Sequence, residues 1–185
     1  MMKKAIVTGA NGLVGGSVVR YLVSNAIDVL CLGRQHLTPA QANEIFEEGV
    51  KYIQIGMENI AELPEKIDHI SWRAGHDCVF YNFAWSGIKN LTDGSFEDQL
   101  RNAISSSLAV KAAKNIGCSK FINSGTLEET YAEWHMDKGA PYSSTQGNYA
   151  IAKLASRNMC AMTAYLDKID YIHSRLSVPL SPDLS

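Results

Sequence analysis

No run of about 18 consecutive apolar residues occurs in this chain of 185 residues, so no segment has the length to cross a bilayer as a helix. The opening Met1-Met2-Lys3-Lys4 imitates the charged start of an export signal, but Thr8, Asn11 and four glycines by Gly16 interrupt the apolar stretch such a signal needs. No Cys-x-x-Cys pair exists. Cys31, Cys78, Cys118 and Cys160 are widely separated and read as reduced core residues of a cytoplasmic protein, not as a disulfide frame or zinc site. The five histidines show no metal-ligand spacing, so no metal is expected. A basic block is missing too. A net charge of -2 with scattered basic residues leaves no field to neutralise the phosphates of a nucleic acid. Internal repeats and low-complexity tracts are lacking. What remains is globular composition, 46% hydrophobic and 19% charged. The length suits one domain with a substantial core and is too short for two ordinary ones.

The chain is organised around Ala5 to Gly15. Ala5-Ile6-Val7 is a short apolar run that reads as a buried parallel strand. It breaks at a glycine turn and continues as an amphipathic helix with Val14, Val18, Tyr21 and Leu22 on one face. Gly9 permits the tight turn, Gly12 lets backbone approach a phosphate, and Gly15 lets the helix pack on the strand. Free amides at the helix start form an anion site suited to a pyrophosphate. The spacing Thr8-Gly9-x-x-Gly12-x-x-Gly15 differs from the commoner Gly-x-Gly-x-x-Gly.

Further strands are expected at Ile27 to Leu32, Val50 to Ile55, Asp77 to Ala84, Lys120 to Ser124 and Asp170 to Leu176. Between them lie a helix opened by Thr38-Pro39 and ending near Glu48, and a polar crossover through Ile60 to Trp72, broken at Pro64. Trp85 to Gly94 reads as a loop. A long fourth helix from Ser95 carries Leu100, Ala103, Ile104, Ser107, Leu108 and Ala112 on one face. After strand five comes a polar loop, then a fifth helix from about Ser143 to Leu166. This alternation, with near-continuous apolar strands, predicts an α/β fold. It is a doubly wound parallel sheet with helices on both faces, a Rossmann fold filling residues 1–185.

Tyr149 and Lys153, at i and i+4, lie on one helix face. An ammonium near a phenol favours the phenolate and lowers its pKa, so the phenol can exchange a proton near neutral pH. Asn123-Ser124-Gly125-Thr126 supplies hydroxyls at a strand end, on the side of the sheet where ligands bind.

With these residues the chain resembles the extended short-chain dehydrogenase/reductases, the NAD(P)-dependent epimerase/dehydratase group acting on nucleotide-sugars. Thr8 to Gly15 is similar to that family's Thr-Gly-x-x-Gly-x-x-Gly, Tyr149 and Lys153 match its Tyr-x-x-x-Lys, and Phe121 to Thr126 resembles its fifth strand. The resemblance implies that Tyr149 is the general acid/base, and that Lys153 lowers its pKa and binds the nicotinamide ribose. It implies further that Thr126 bonds the substrate oxygen, with Ser124 as the alternative. Thr8, Gly9, Asn11, Gly12, Leu13, Val14, Gly15, Arg34, Met57, Phe83, Ala84 and Asn102 join Tyr149 and Lys153 as expected cofactor-binding residues. Arg175 to Pro182 resembles the segment beyond the family's strand six. The family's fourth and fifth helices commonly pair across a dimer interface, so a homodimer through those helices is expected.

The departures shape the rest. Gly33-Arg34 replaces the acid that would hold the ribose hydroxyls of NAD, which favours NADP with NAD as the alternative; Arg34 also reads as a solvated surface charge. Gly56-Met57 stands where Gly-Asp is usual, leaving adenine to backbone groups or Glu58. Leu127 replaces the first acid of the dehydratase Asp-Glu pair, which favours reduction or epimerisation over dehydration, with Glu128 a surface or sugar-contacting carboxylate. By the resemblance, the smaller C-terminal domain that holds the nucleotide-sugar would begin where this chain stops. The expected function is therefore a nucleotide-sugar oxidoreductase or epimerase working by hydride transfer. The alternative is a non-catalytic dinucleotide sensor or an inactive remnant.

Overall fold

The computed structural model describes residues 2–46, 48–87, 94–139 and 147–177. Six strands form one parallel sheet: β1 Lys4–Thr8, β2 Asp28–Gly33, β3 Lys51–Gln54, β4 Cys78–Asn82, β5 Lys120–Thr126 and β6 Asp170–Leu176. Their order across the sheet is β3-β2-β1-β4-β5-β6. The chain runs outward from β1 in one direction and then, from β4, in the other. The crevice at that reversal opens at the carboxyl ends of β1 and β4.

Alternation along the central strands sends side chains to two cores. Ile6, Leu30, Phe80 and Phe121 face one side, covered by a 3-10 turn (Met57–Glu62) and by α3 (Leu63–Asp68), α4 (Phe96–Asn115) and α6 (Gly147–Asp167). Ala5, Val7, Val29 and Cys31 face the other, beneath α1 (Leu13–Ser24) and α2 (Pro39–Phe46). All four cysteines are free and buried. Among the described residues no helix is long and apolar enough to cross a membrane, and no group of three or more potential ligands could hold a metal.

Local chemistry explains the helix starts. Thr38 Oγ1 accepts from the amide of Gln41, whose side chain accepts in return from the Thr38 amide, a reciprocal cap for α2. Ser95 caps α4 through the amide of Asp98. The six strands lie where the sequence places them, within three residues at each end.

Four expectations are corrected. On α1 the buried stripe is Gly15, Val19 and Leu22, while Tyr21 is exposed, because contact at Gly15 sets the rotation of the helix. On α4 small and polar residues, Asn102, Ala103, Ser106, Ala109 and Ala113, face inward, where they permit close approach to α6; Ile104 and Leu108 face out. Pro64 starts α3 instead of breaking a helix, since its missing amide is harmless in a first turn. The polar loop after strand five contains α5 (Glu128–Asp137), with Glu128 and Glu129 in its first turn, where carboxylates suit the helix dipole. The start of the fifth predicted helix at Ser143, the centre of the Trp85 to Gly94 loop and the residues from Val178 to Pro182 lie outside the described residues.

Phe80 and Phe121 stack at 5.1 Å between centroids and are both fully buried. Phe121→Ala is expected to cost about 3–5 kcal/mol of stability, read by urea denaturation; a loss under about 1 kcal/mol would contradict this packing.

Candidate functional site

The turn after β1 is defined by a very close backbone approach. Gly9 has φ +64°, and a Cβ at Gly15 would collide with the Gly9 carbonyl oxygen, so α1 begins directly against the strand end. Gly12 occupies the cap position of α1 with no side-chain cap, and the first turn contains no acid. The leading amides, on Leu13, Val14 and Gly15, are therefore left for an anion.

In front of them lies a cleft of about 360 Å³ at the carboxyl ends of β1, β2 and β4. Thr8, Gly9, Asn11, Gly12, Arg34, Met57, Phe83, Ala84 and Asn102 all line it. Leu13, Val14 and Gly15, in the first turn of α1, are not among its lining residues, nor are Tyr149 and Lys153 of α6, which meet it through Trp85. Arg34 is exposed and has no ion-pair partner among the described residues. Asn102 spends its amide on Ser86, donating to the carbonyl at 2.8 Å and accepting from the amide at 3.1 Å, which holds the loop after β4. A larger hollow of about 800 Å³ sits at the opposite ends of the strands, among Asp77, Lys114 and Lys168, far from these groups.

Tyr149 lies close enough to Thr126 for that side chain to act on its phenol, and the Thr126 hydroxyl accepts from the Glu128 amide at 3.4 Å. Lys153 is buried and donates to the Ser124 carbonyl at 2.9 Å, so Ser124 contributes its backbone here and Thr126 its hydroxyl. The Lys153 ammonium also sits 3.8 Å from the centroid of the Trp85 ring, a cation–π contact. Burial brings its pKa down to about 7, although the charges of Glu129 and Cys160 oppose the shift.

The expected depression of the Tyr149 pKa does not occur in this arrangement. Burial raises it, the bond to Thr126 lowers it less, and the charges of Glu129 and Glu128 raise it again. Lys153 points toward Ser124 and Trp85, with its nitrogen 5.8 Å from the Tyr149 ring centroid.

Sequence reasoning misses three participants. Trp85 lines the cleft and packs edge-on against Tyr149 at 5.9 Å. Gln35 lines the cleft and accepts from Asn11 at 2.7 Å. Glu129, fully buried, accepts from the Thr126 amide at 2.8 Å. The second of two adjacent acids after strand five carries no signal of burial, since its partners His173 and Arg175 lie on β6, over 40 residues away. Burial raises the Glu129 pKa, but bonds from His173 and the Thr126 amide, with the positive charge of Arg175, hold it below the ordinary value.

Removing the Glu129 charge is therefore expected to ease ionisation of the phenol. In an ultraviolet difference titration against Tyr149→Phe, Glu129→Gln moves the Tyr149 transition to lower pH; an unmoved or raised transition would contradict the placement.

The sequence matches the NAD dependent epimerase/dehydratase family over residues 5–184. No curated protein matches it. Among solved structures it is similar to UDP-glucose 4-epimerase from Thermotoga maritima, determined with UDP-glucose, at 18% identity and TM-score 0.67, over 93% of this chain and 54% of that one. UDP-glucuronic acid 4-epimerase from Bacillus cereus, in complex with NAD, matches at 18% identity and TM-score 0.64, over 95% and 57%. WbmG from Bordetella bronchiseptica, also with NAD, matches at 14% identity and TM-score 0.67, over 95% and 53%. The chain thus spans a little over half the length of these structures, which share its fold. With the family match covering nearly the whole sequence, the chain belongs to the NAD dependent epimerase/dehydratase family.

Proposed function

We propose that this chain is the cofactor-binding half of an NADP-dependent oxidoreductase or epimerase acting on a nucleotide-sugar. The observation that carries the reading is the gathering of Tyr149, Thr126 and Lys153 beside Trp85, which lines the cleft: Trp85 packs on Tyr149 and on the Lys153 ammonium, and the Thr126 side chain acts on the Tyr149 phenol. A bound nicotinamide cofactor would supply or accept the hydride at a sugar carbon. The chain's own residues do the rest. Thr126 holds the sugar oxygen, and Tyr149 moves the proton between that oxygen and its phenol. Lys153, held at the Ser124 carbonyl and the Trp85 ring, is the donor this reading assigns to the nicotinamide ribose. The amides of Leu13, Val14 and Gly15 take the pyrophosphate, while Met57 and Glu58 flank the adenosine and Phe83 and Ala84 line the floor. Two of the similar structures hold NAD. Here the small Gly33 followed by the exposed guanidinium of Arg34 supports NADP, because a forked cation matches a 2′-phosphate.

Titration of the chain with NADPH and NADH, followed by nicotinamide fluorescence, is expected to show tighter binding of NADPH. Arg34→Ala should erase the preference, a loss of about tenfold or more for one charge-assisted pair. Tighter NADH binding would overturn the NADP assignment. In the full-length protein Tyr149→Phe should lower kcat by about 10²–10⁴; undiminished turnover would refute the mechanism.

We also propose a homodimer through α4 and α6. Ile104 and Leu108 on α4, with Ile151, Met162 and Leu166 on α6, form exposed apolar stripes on two helices that pack together. Light scattering should give a dimer mass for the chain and a monomer mass for Ile104→Glu/Leu108→Glu. A monomer mass for both would reject this interface.

A further inference from the structure

Beneath the cleft runs a chain of hydrogen bonds that converge on Glu129, and backbone groups fix their direction. The amides of Phe83 and Ala84 both donate to Thr8 Oγ1, each at 3.1 Å. The Thr8 hydroxyl proton is thereby directed to Asn82 Oδ1 at 2.7 Å. This orients the Asn82 amide so that its nitrogen donates to Asn123 Oδ1 at 2.9 Å. The Asn123 nitrogen then faces His173 Nδ1 at 3.4 Å. An amide nitrogen only donates, so Nδ1 must accept and the ring proton resides on Nε2. The Tyr171 hydroxyl, 3.2 Å from the same Nδ1, fits that tautomer as a second donor. Nε2 reaches both oxygens of Glu129, at 3.1 and 2.9 Å. Glu129 closes the chain by accepting from the Thr126 amide, and Arg175 Nε donates to it at 3.3 Å.

The residue preceding Thr126 fits this arrangement. A Cβ at Gly125 would collide with both His173 Nε2 and Glu129 Oε1, so imidazole and carboxylate lie directly against the strand. Glu129 and Thr126 are thus held in one rigid unit, linked through four strands to the turn at Thr8.

We propose that Glu129 and His173 are positioning residues for Thr126: the directed chain fixes His173 as the neutral Nε2–H imidazole, which orients the Glu129 carboxylate on the Thr126 amide. The proposal rests on the reading that Thr126 holds the substrate oxygen. Neither residue touches the reacting atoms; both act through the placement of the Thr126 hydroxyl against Tyr149.

Two measurements test it. In a long-range proton–nitrogen correlation of the nitrogen-15-labelled chain at pH 7.5, His173, assigned by its loss in His173→Gln, is expected to show the Nε2–H neutral pattern. An Nδ1–H or imidazolium pattern would overturn the proposal, whatever the enzyme does. In the full-length protein, Glu129→Gln and His173→Leu should lower kcat about 100-fold, the cost of a misplaced group, with cofactor affinity unchanged. His173→Gln, which keeps a donor toward Glu129, should restore most of the rate. Tyr149→Phe is measured alongside. If it abolishes turnover while Glu129→Gln and His173→Leu leave kcat intact, the positioning role fails and the enzyme reading stands. If Tyr149→Phe leaves turnover intact, the enzyme reading fails first. Should Glu129→Gln not fold, the tautomer measurement on the unaltered chain decides.

Discussion

The contact between Gly15 and the Gly9 carbonyl sets the geometry on which the rest depends. Only a residue without a Cβ lets α1 start so close to the end of β1. That closeness rotates α1 so that Gly15, Val19 and Leu22 meet the sheet. It also leaves an uncapped helix start facing the crevice between β1 and β4. Gly9 on the other side of the turn lies against the backbone of Phe83 and Ala84, so the first βα turn and the loop after β4 form one wall. Any side chain larger than hydrogen at either place would push the two apart and open the cleft floor.

Above two apolar cores, the carboxyl ends of the central strands are polar. Thr8, Asn82, Asn123 and Glu129 are all buried, a costly choice unless each is satisfied. They are satisfied by one another and by backbone amides, so this layer gives up little stability. In return it makes a floor whose groups have one arrangement only. A floor of that kind matters where a hydroxyl and a phenol must be held near one another, as Thr126 and Tyr149 are.

The strands are legible in the sequence because burial on both faces makes them continuous apolar runs, and the Thr8 to Gly15 turn because its glycines each answer a steric need. The α2 start at Thr38-Pro39 is equally readable, since capping is local. Helix faces are not. On α4 the larger residues Ile104 and Leu108 point outward while Ala103, Ala109 and Ala113 pack inward, so size misleads when neighbouring helices approach closely. The short α5 is hidden because only Glu129 and Ala132 of its residues are buried, and one of them is an acid. The spacing of Tyr149 and Lys153 gives their shared face correctly and their charge coupling incorrectly. Tertiary partners, the Ser124 carbonyl and the Trp85 ring, draw the Lys153 ammonium elsewhere. In the sequence Glu129 is one acid of several; its role depends on His173 and Arg175, which only the fold brings near.

The most direct test of the cleft as a cofactor site is to map where NADPH meets the chain, by following backbone amide shifts of the nitrogen-15-labelled protein during titration. The largest changes are expected on Asn11 to Gly15, Arg34, Met57 and Ala84, extending to Tyr149. Changes concentrated instead at the opposite ends of the strands, around Asp77, Lys114 and Lys168, would contradict it.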